Sequence, residues 1–138
     1  MFGFDVGEDE RLRLLEESDA AELYALIEAD RAYLSEWMPW APAQTLEDTR
    51  VFIRRARKQL GDNDGFQTAI VLDGRIVGEI GYHRVDWHHR STSIGYWLAS
   101  SAQGRGAMTR AVRALVDWAF RGVGAQPGGG PRGARERP

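Results

Sequence analysis

The residues best suited to chemistry are Gln103, Gly104, Arg105, Gly106, Ala107, Met108 and Thr109, which follow an apolar run ending at Leu98 and open a helical pattern. The first turn of a helix leaves backbone amides unpaired and carries the positive end of the helix dipole, and glycines let a bulky anion approach those amides. The stretch therefore reads as an anion cradle, with a plain turn before a helix as the competing reading. Gln103 can add a side-chain N–H, and Arg105 at the rim can screen a further phosphate. Two other phosphate motifs do not fit. A Walker loop needs GxxxxGK followed by Ser or Thr, and the only lysine, Lys58, lies elsewhere. The dinucleotide fingerprint GxGxxG finds Gly104 and Gly106 but Thr109 in its third place, and the strands before it read as hairpins rather than as a βαβ unit.

Such a loop needs a strand leading in and a helix leading out. STSIGYWL, Ser91 to Leu98, supplies the strand, and Met108, Ala111, Val112, Leu115, Val116 and Ala119 fall on one face of the helix. Upstream, FQTAIVL, the turn pair Asp73 and Gly74, and RIVGEIGYHRV read as a hairpin, with WHHR as the next turn. The middle of the chain is thus an antiparallel meander of three strands. RLRLL, from Arg11 to Leu15, predicts a further short strand. Ser18 or Asp19, with Glu22 as capping-box partner, starts a helix that carries Leu23, Leu26 and Ile27 and runs through Asp30, Arg31, Tyr33 and Leu34 until Pro39 breaks it. Thr45 and Asp48 cap a second helix, amphipathic through Val51, Phe52, Ala56 and Leu60 and ending at Gly61, with GDNDG as a loop.

At 138 residues the chain is one domain's worth. A net charge of −2 gives no basic footprint for a nucleic acid, and no apolar run is long enough to span a membrane, so a cytoplasmic protein is expected. Without cysteine there is no disulfide, thiol nucleophile or thiolate metal site. No metal site is expected from His83, His88 and His89 either, because adjacent strand residues point to opposite faces. Glu8 to Glu10 read as a solvated terminus. Residues 121–138 hold six of the 16 glycines and three of the five prolines and carry +3, leaving −5 on the rest. No core can be built from them, so residues 1–120 form the domain and 121–138 a disordered tail.

Taken together, DRAYLSEWMPW, the TLED helix start, VGEIGYH, IGYWL and QGRGAMT resemble the GNAT acetyltransferase superfamily. The branch they are most similar to is that of the ribosomal-protein N-terminal acetyltransferases, the RimL and RimJ types, over about residues 10 to 120. Met108 departs from the family's general coenzyme A motif, and Ser93 stands where many relatives have Glu. The resemblance implies an α+β fold with a mixed, mainly antiparallel sheet and flanking helices, truncated after the helix that follows the coenzyme A loop. It implies acetyl-CoA as cosubstrate, with the pyrophosphate on the backbone of Gly104 to Thr109. The pantetheine arm would pair like an extra strand with Tyr96, Trp97 and Leu98. A primary amine, of a protein N-terminus or a small molecule, would attack the thioester directly, with no covalent acyl-enzyme. Trp37, Trp40, Tyr82 and His83 are the candidates for the acceptor pocket, aromatic packing being the competing reading for each. No catalytic base is assigned, and the oligomeric state stays open. Two other readings compete: a truncated product that at most binds coenzyme A, and a binding module for another phosphate ligand.

The resemblance also implies a further strand, helix and hairpin that the tail does not encode. Lys58 is the only lysine among the 18 basic residues, and the rest are Arg, a bias fitting a GC-rich genome, in which a wrong frame yields Gly, Pro, Arg and Ala. Read one nucleotide later, the codons for Gly124 to Ala134 permit GLNRVEVRAAP, which is similar to the family's continuation. Gln126 is the tightest position: before a proline codon it yields only Asn or Ser, and Asn is the residue the resemblance calls for. Resequencing the gene from the codon of Ala119 onward is expected to restore the missing elements by a one-base shift; a confirmed frame with no such continuation would end that expectation.

Overall fold

The computed structural model describes residues 3–62, 64–86 and 91–122. Five strands form one antiparallel sheet in chain order: β1 (Gly3–Asp5), β2 (Glu10–Leu14), β3 (Gln67–Leu72), β4 (Arg75–Asp86) and β5 (Ser91–Leu98). Helices α1 (Ala20–Ala29), α2 (Arg31–Ser35) and α3 (Leu46–Gly61) fill the connection from β2 to β3, and α4 (Ala107–Gly122) follows β5. The α+β class and the central meander are those the sequence predicts. Strand β1 is an addition, three residues being too few to show a period. Among the described residues, no helix is long and apolar enough to cross a membrane.

The sheet separates two apolar clusters. Ala69, Ile76 and Trp97 join Leu23, Ile27 and Ile53 from α1 and α3 on one side, while Leu12, Ile70, Ile80 and Leu98 pack with Ala107, Ala111 and Leu115 of α4 on the other. Successive residues such as Ala69 and Ile70, or Trp97 and Leu98, thus go to opposite clusters, as a strand's period of two requires. Each helix presents a stripe at three- and four-residue spacing: Ala20, Leu23 and Ile27 in α1, and Thr49, Ile53 and Ala56 in α3.

The helix starts show where local signals hold. Thr45 and Asp48 form the expected capping box, with the Asp48 N–H donating to Thr45 Oγ1 at 3.0 Å and the Thr45 N–H to the Asp48 carboxylate at 3.1 Å. Ahead of α1 the box forms one turn earlier than expected. Asp19 accepts from the Glu16 N–H at 2.8 Å, and its carboxylate is gripped by both Arg13 Nη atoms at 2.8 and 2.9 Å. Glu22, the expected partner, instead accepts from the Ile76 N–H at 3.0 Å and clasps α1 to β4. The single helix expected through Leu34 breaks at Asp30, whose carboxylate accepts from the Ser100 N–H and hydroxyl at 2.6 and 2.7 Å. A tertiary contact 70 residues away holds this break.

One irregularity in β4 decides which side chains share a face. Ile70 pairs with Gly78 but Val71 pairs with Ile76, so Val77 is an extra residue, a β-bulge. The slip brings Ile76 and Glu79 to the same face despite their odd separation. Glu79 then lies between Ala69 of β3 and Trp97 of β5. Glycines flank it because the neighbouring strands come close. A Cβ at Gly78 would overlap the Trp97 carbonyl oxygen and lie 3.0 Å from the Leu98 Cα, and one at Gly81 would overlap the Phe66 carbonyl oxygen. Gly78→Ala is therefore expected to lower the unfolding free energy by roughly 1–3 kcal/mol. Gly61→Ala, where nothing lies within 4 Å, should lower it by far less. Urea denaturation of the two variants checks this, and equal midpoints would contradict it.

Candidate functional site

Strand β5 is the last strand of the described sheet, and its chain continues through one helical turn, Ser100–Ala102, into the glycine loop. The Ala99 N–H donates to the Val77 carbonyl at 2.8 Å, so the bulge also steers the chain out of β5. Gly104 and Gly106 have φ of +84° and +75°, a left-handed conformation open to glycine at little strain. A Cβ on Gly104 would meet nothing within 4 Å, so the space over the loop is open. The Arg110 N–H donates to the Gly106 carbonyl at 3.0 Å and starts the ladder of α4. The amides of the turn before it face outward without intrahelical acceptors. The glycine loop and the helix start thus stand in the order the sequence predicts.

The loop's side chains are held by protein partners. The Gln103 amide donates to the Leu98 carbonyl at 3.2 Å and to the Tyr33 hydroxyl at 3.1 Å, tying the loop to β5 and α2. Arg105 pairs with Asp73 in the β3–β4 turn at 3.1 Å. Arg110 lies along the loop, its Nη1 2.9 Å from where a Gly106 Cβ would be, and its Nε is 2.7 Å from Glu10. Glu10 is thus a buried partner rather than part of a solvated terminus, which corrects that expectation. Burial pushes its pKa up, against the opposing pull of Arg110.

Two cavities meet at the end of β5. The smaller, about 310 Å³, lies between α2 and the loop and is lined by Tyr33, Trp37, Leu98, Gln103 and Met108. The larger, about 790 Å³, lies between the sheet and α3 and is lined by Trp40, Phe52, Arg55, Gln67, Glu79 and Ile94 among others. Met38, Tyr96 and Trp97 line both. Tyr96, Trp97 and Leu98 are therefore brought together with Gln103 and Met108, as the sequence reading anticipates.

Glu79 is the group that reading missed. Its Oε1 accepts from Trp97 Nε1 at 2.9 Å, and its Oε2 is buried with no hydrogen-bond partner among the described residues. Burial pushes its pKa up to about 7, outweighing the lowering effect of the Trp97 bond. A carboxyl balanced near neutral pH in a cavity wall is suited to accept a proton. The signal in the sequence was a lone acid in an apolar strand, between Gly78 and Gly81.

The aromatic candidates separate. Trp37 is 66% exposed beside the smaller cavity, and Trp40 lines the larger one with its ring centroid 5.9 Å from that of Trp97. Tyr82 lines neither cavity. It is fully buried on the α4 side of the sheet against Phe66 and Trp118, and its hydroxyl donates to the Leu115 carbonyl. Its even register with Ile80 turns it away from Glu79. His83 belongs to β4, but its side chain lies outside the described part of the structure, as do His88, His89 and residues 123–138.

A family model described as an acetyltransferase (GNAT) domain matches residues 11–127. The protein YdaF of Bacillus subtilis (strain 168), whose name proposes a ribosomal N-acetyltransferase, is 35% identical over 122 residues, covering 87% of this chain and 67% of its own length. The ribosomal-protein-serine acetyltransferase of Escherichia coli (strain K12) is 30% identical over 114 residues, covering 80% of this chain and 63% of its own. Among solved structures, the microcin C7 self-immunity acetyltransferase in complex with acetyl-CoA and AMP superposes with a TM-score of 0.80 at 25% identity, covering 86% of this chain and 67% of that one. The chain spans about two thirds of the length of these relatives.

The position of Glu79 sets a pH dependence. Unfolded, the carboxyl ionises near its ordinary value of 4.5, and folded only near 7, so the unfolded chain releases the proton first and stability falls as pH rises across that window. The loss is expected to be roughly 2–3 kcal/mol between pH 4.5 and 7.5. Glu79→Gln, which keeps an acceptor for Trp97, should flatten it. Urea midpoints of both proteins at pH 5 and pH 8 decide, and parallel pH slopes would contradict the assignment.

Proposed function

The chain belongs to the GNAT acetyltransferase family, and on that premise we propose that it transfers the acetyl group of acetyl-CoA to a primary amine. Two of the relatives are named for ribosomal proteins, and the acceptor that fits this best is the α-amine of a protein N-terminus, for which the cytoplasm is the fitting compartment. One observation carries this reading: the cavity beside the glycine loop and the cavity holding Glu79 share Tyr96 and Trp97.

Acetyl-CoA would lay its pyrophosphate on the amides from Gly104 to Thr109 and run its arm along the edge of β5 at Tyr96 to Leu98, which pairs with no further strand among the described residues and so offers backbone groups there. The thioester then sits where the cavities join. An α-amine has a pKa near 8, so at neutral pH it needs only a modest acceptor for its proton. Ionised Glu79 takes that proton, directly or through a water, as the nitrogen attacks the thioester carbonyl. A strand amide at Tyr96 to Leu98 stabilises the developing oxyanion. The carbon–sulfur bond breaks, and coenzyme A leaves as a thiolate that takes a proton from solvent. The buried Oε2 of Glu79, with no donor among the described residues, is the oxygen open to this task.

Peptide acetylation followed by mass spectrometry tests the reading. Turnover is expected to rise with pH through about 7 as Glu79 ionises. Glu79→Gln should lower kcat by roughly 100-fold or more while acetyl-CoA still binds. Gly106→Asp, which puts a carboxylate into the cradle, should abolish acetyl-CoA binding. Binding without turnover on any amine would instead favour a non-catalytic coenzyme A binder, and a thermal shift with other nucleotides but not acetyl-CoA would overturn the assignment.

A further inference from the structure

Helix α3 carries five cations, and four are engaged. Arg50 and Arg54 pair with Glu47 at 3.7 and 3.1 Å, Lys58 pairs with Asp62 at 2.6 Å, and Arg57 donates to the Leu15 carbonyl at 3.3 Å. The fifth, Arg55, lines the larger cavity, and among the described residues it has no ion-pair or hydrogen-bond partner. Two acids share that cavity without neutralising it. Asp48 turns its carboxylate back to the Thr45 N–H at 3.1 Å, and Glu79 is bonded to Trp97.

Arg55 also has a definite place relative to Glu79. One turn further along α3, Gln59 is tied to the Gln67 side chain at 3.2 Å and to the Tyr82 carbonyl at 2.7 Å. Gln67 pairs with Gly81 and Ile94 with Tyr82, so Gln59 marks the Gln67 and Ile94 end of the cavity and Arg55 lies one helical turn from it. Trp40 and Trp97 mark the other end, where the smaller cavity joins. Glu79 lies two strand residues from Gly81, which puts the anchored end roughly 7 Å beyond it. Phe52, Ile27 and Leu23 line the same cavity, and beside apolar side chains water competes less for a charge pair than at an open surface.

We propose that Arg55 determines acceptor specificity and that the acceptor is an anionic amine, with a carboxylate or phosphate one or two residue lengths from the reacting nitrogen. The amine is held near Glu79 while the guanidinium takes the anion in a two-pronged, charge-assisted contact. In a peptide this means an acidic residue at the second or third position; in a small molecule, an amino acid or aminoalkyl phosphate of that span. The amine's fate rests on the acetyl-transfer reading, whereas the anion contact rests on Arg55 alone.

Both can be tested on the full chain loaded with coenzyme A. Titration calorimetry would use three peptides that differ only at positions two and three, acidic, neutral or basic, together with an aminoalkyl phosphate. The acidic peptide is expected to bind about tenfold more tightly than the neutral one, with the advantage fading at high salt. Arg55→Gln should remove the advantage, and Arg54→Gln, on a cation already paired with Glu47, should keep it. Preference for the acidic peptide over the phosphate assigns a peptide acceptor, and the reverse assigns a small molecule. Equal affinity for acidic and neutral peptides, or a preference untouched by Arg55→Gln, overturns the proposal. Acetyl transfer to the same set is read separately. Arg55-dependent binding without transfer overturns the reaction but not the anion site, and transfer blind to charge overturns the anion site but not the reaction.

Discussion

The hydrogen bond from Trp97 Nε1 to Glu79 is the contact on which the rest of the site depends, because it ties the buried acid of β4 to the residue of β5 that lines both cavities. A carboxyl placed inside a sheet is unfavourable unless something compensates for its lost water. Here compensation is partial: among the described residues, one oxygen has a donor and the other has none. The remainder is absorbed by the proton, which is why the pKa moves to about 7 rather than the sheet giving way. A fully satisfied carboxylate would be a better structural element and a poorer base, so on the proposed reading the incomplete bonding is the chemically useful part.

The geometry that permits this is set by backbone rather than by side chains. The extra residue at Val77 brings Glu79 onto the face of Ala69 and Trp97, and the small side chain of Ala69 leaves the carboxyl room. Gly78 and Gly81 are needed because the carbonyl oxygens of Trp97 and Phe66 come too close for any Cβ. The same bulge accepts the Ala99 N–H and so directs the chain toward the loop. A single irregularity thus places the acid and directs the chain into the glycine loop, so the two halves of the proposed site share one origin.

What the sequence made legible were features with a local cause. The DG turn, the period-two strands, the Thr45 and Asp48 cap and the glycine loop before α4 each arise from a few adjacent residues. What it hid were contacts between residues far apart in the chain. Nothing near Asp30 announces that its carboxylate will hold Ser100, and nothing in Glu8 to Glu10 tells that Glu10 will be buried against Arg110, 100 residues later. Glu79 falls between these cases. Its odd company of glycines is local, but the face it occupies depends on a bulge that no residue type at Val77 encodes. Tyr82 was misplaced for the same reason, since aromatic character fits a pocket or a core equally and only register with Ile80 separates them.

Charge distribution around the cradle adds one more constraint. An anion site built from cations would attract any phosphate, yet Arg105 and Arg110 are both paired with acids, Asp73 and Glu10. The attraction left to the loop is that of backbone amides and the helix dipole, which is directional and short in range. On the proposed reading such a site would select by fit: the ligand would have to reach the amides of Gly104 to Thr109 while its remaining length lies along β5. Long-range electrostatics do little, in keeping with a net charge of only −2 over the whole chain. The unpaired cation in the described part of α3 lines the larger cavity and not the one beside this loop, so on the proposed reading the cradle and the acceptor chamber do not compete for the same anion. On that reading, two negatively charged reactants would occupy one molecule, each neutralised at its own site, with their reactive atoms meeting at Tyr96 and Trp97.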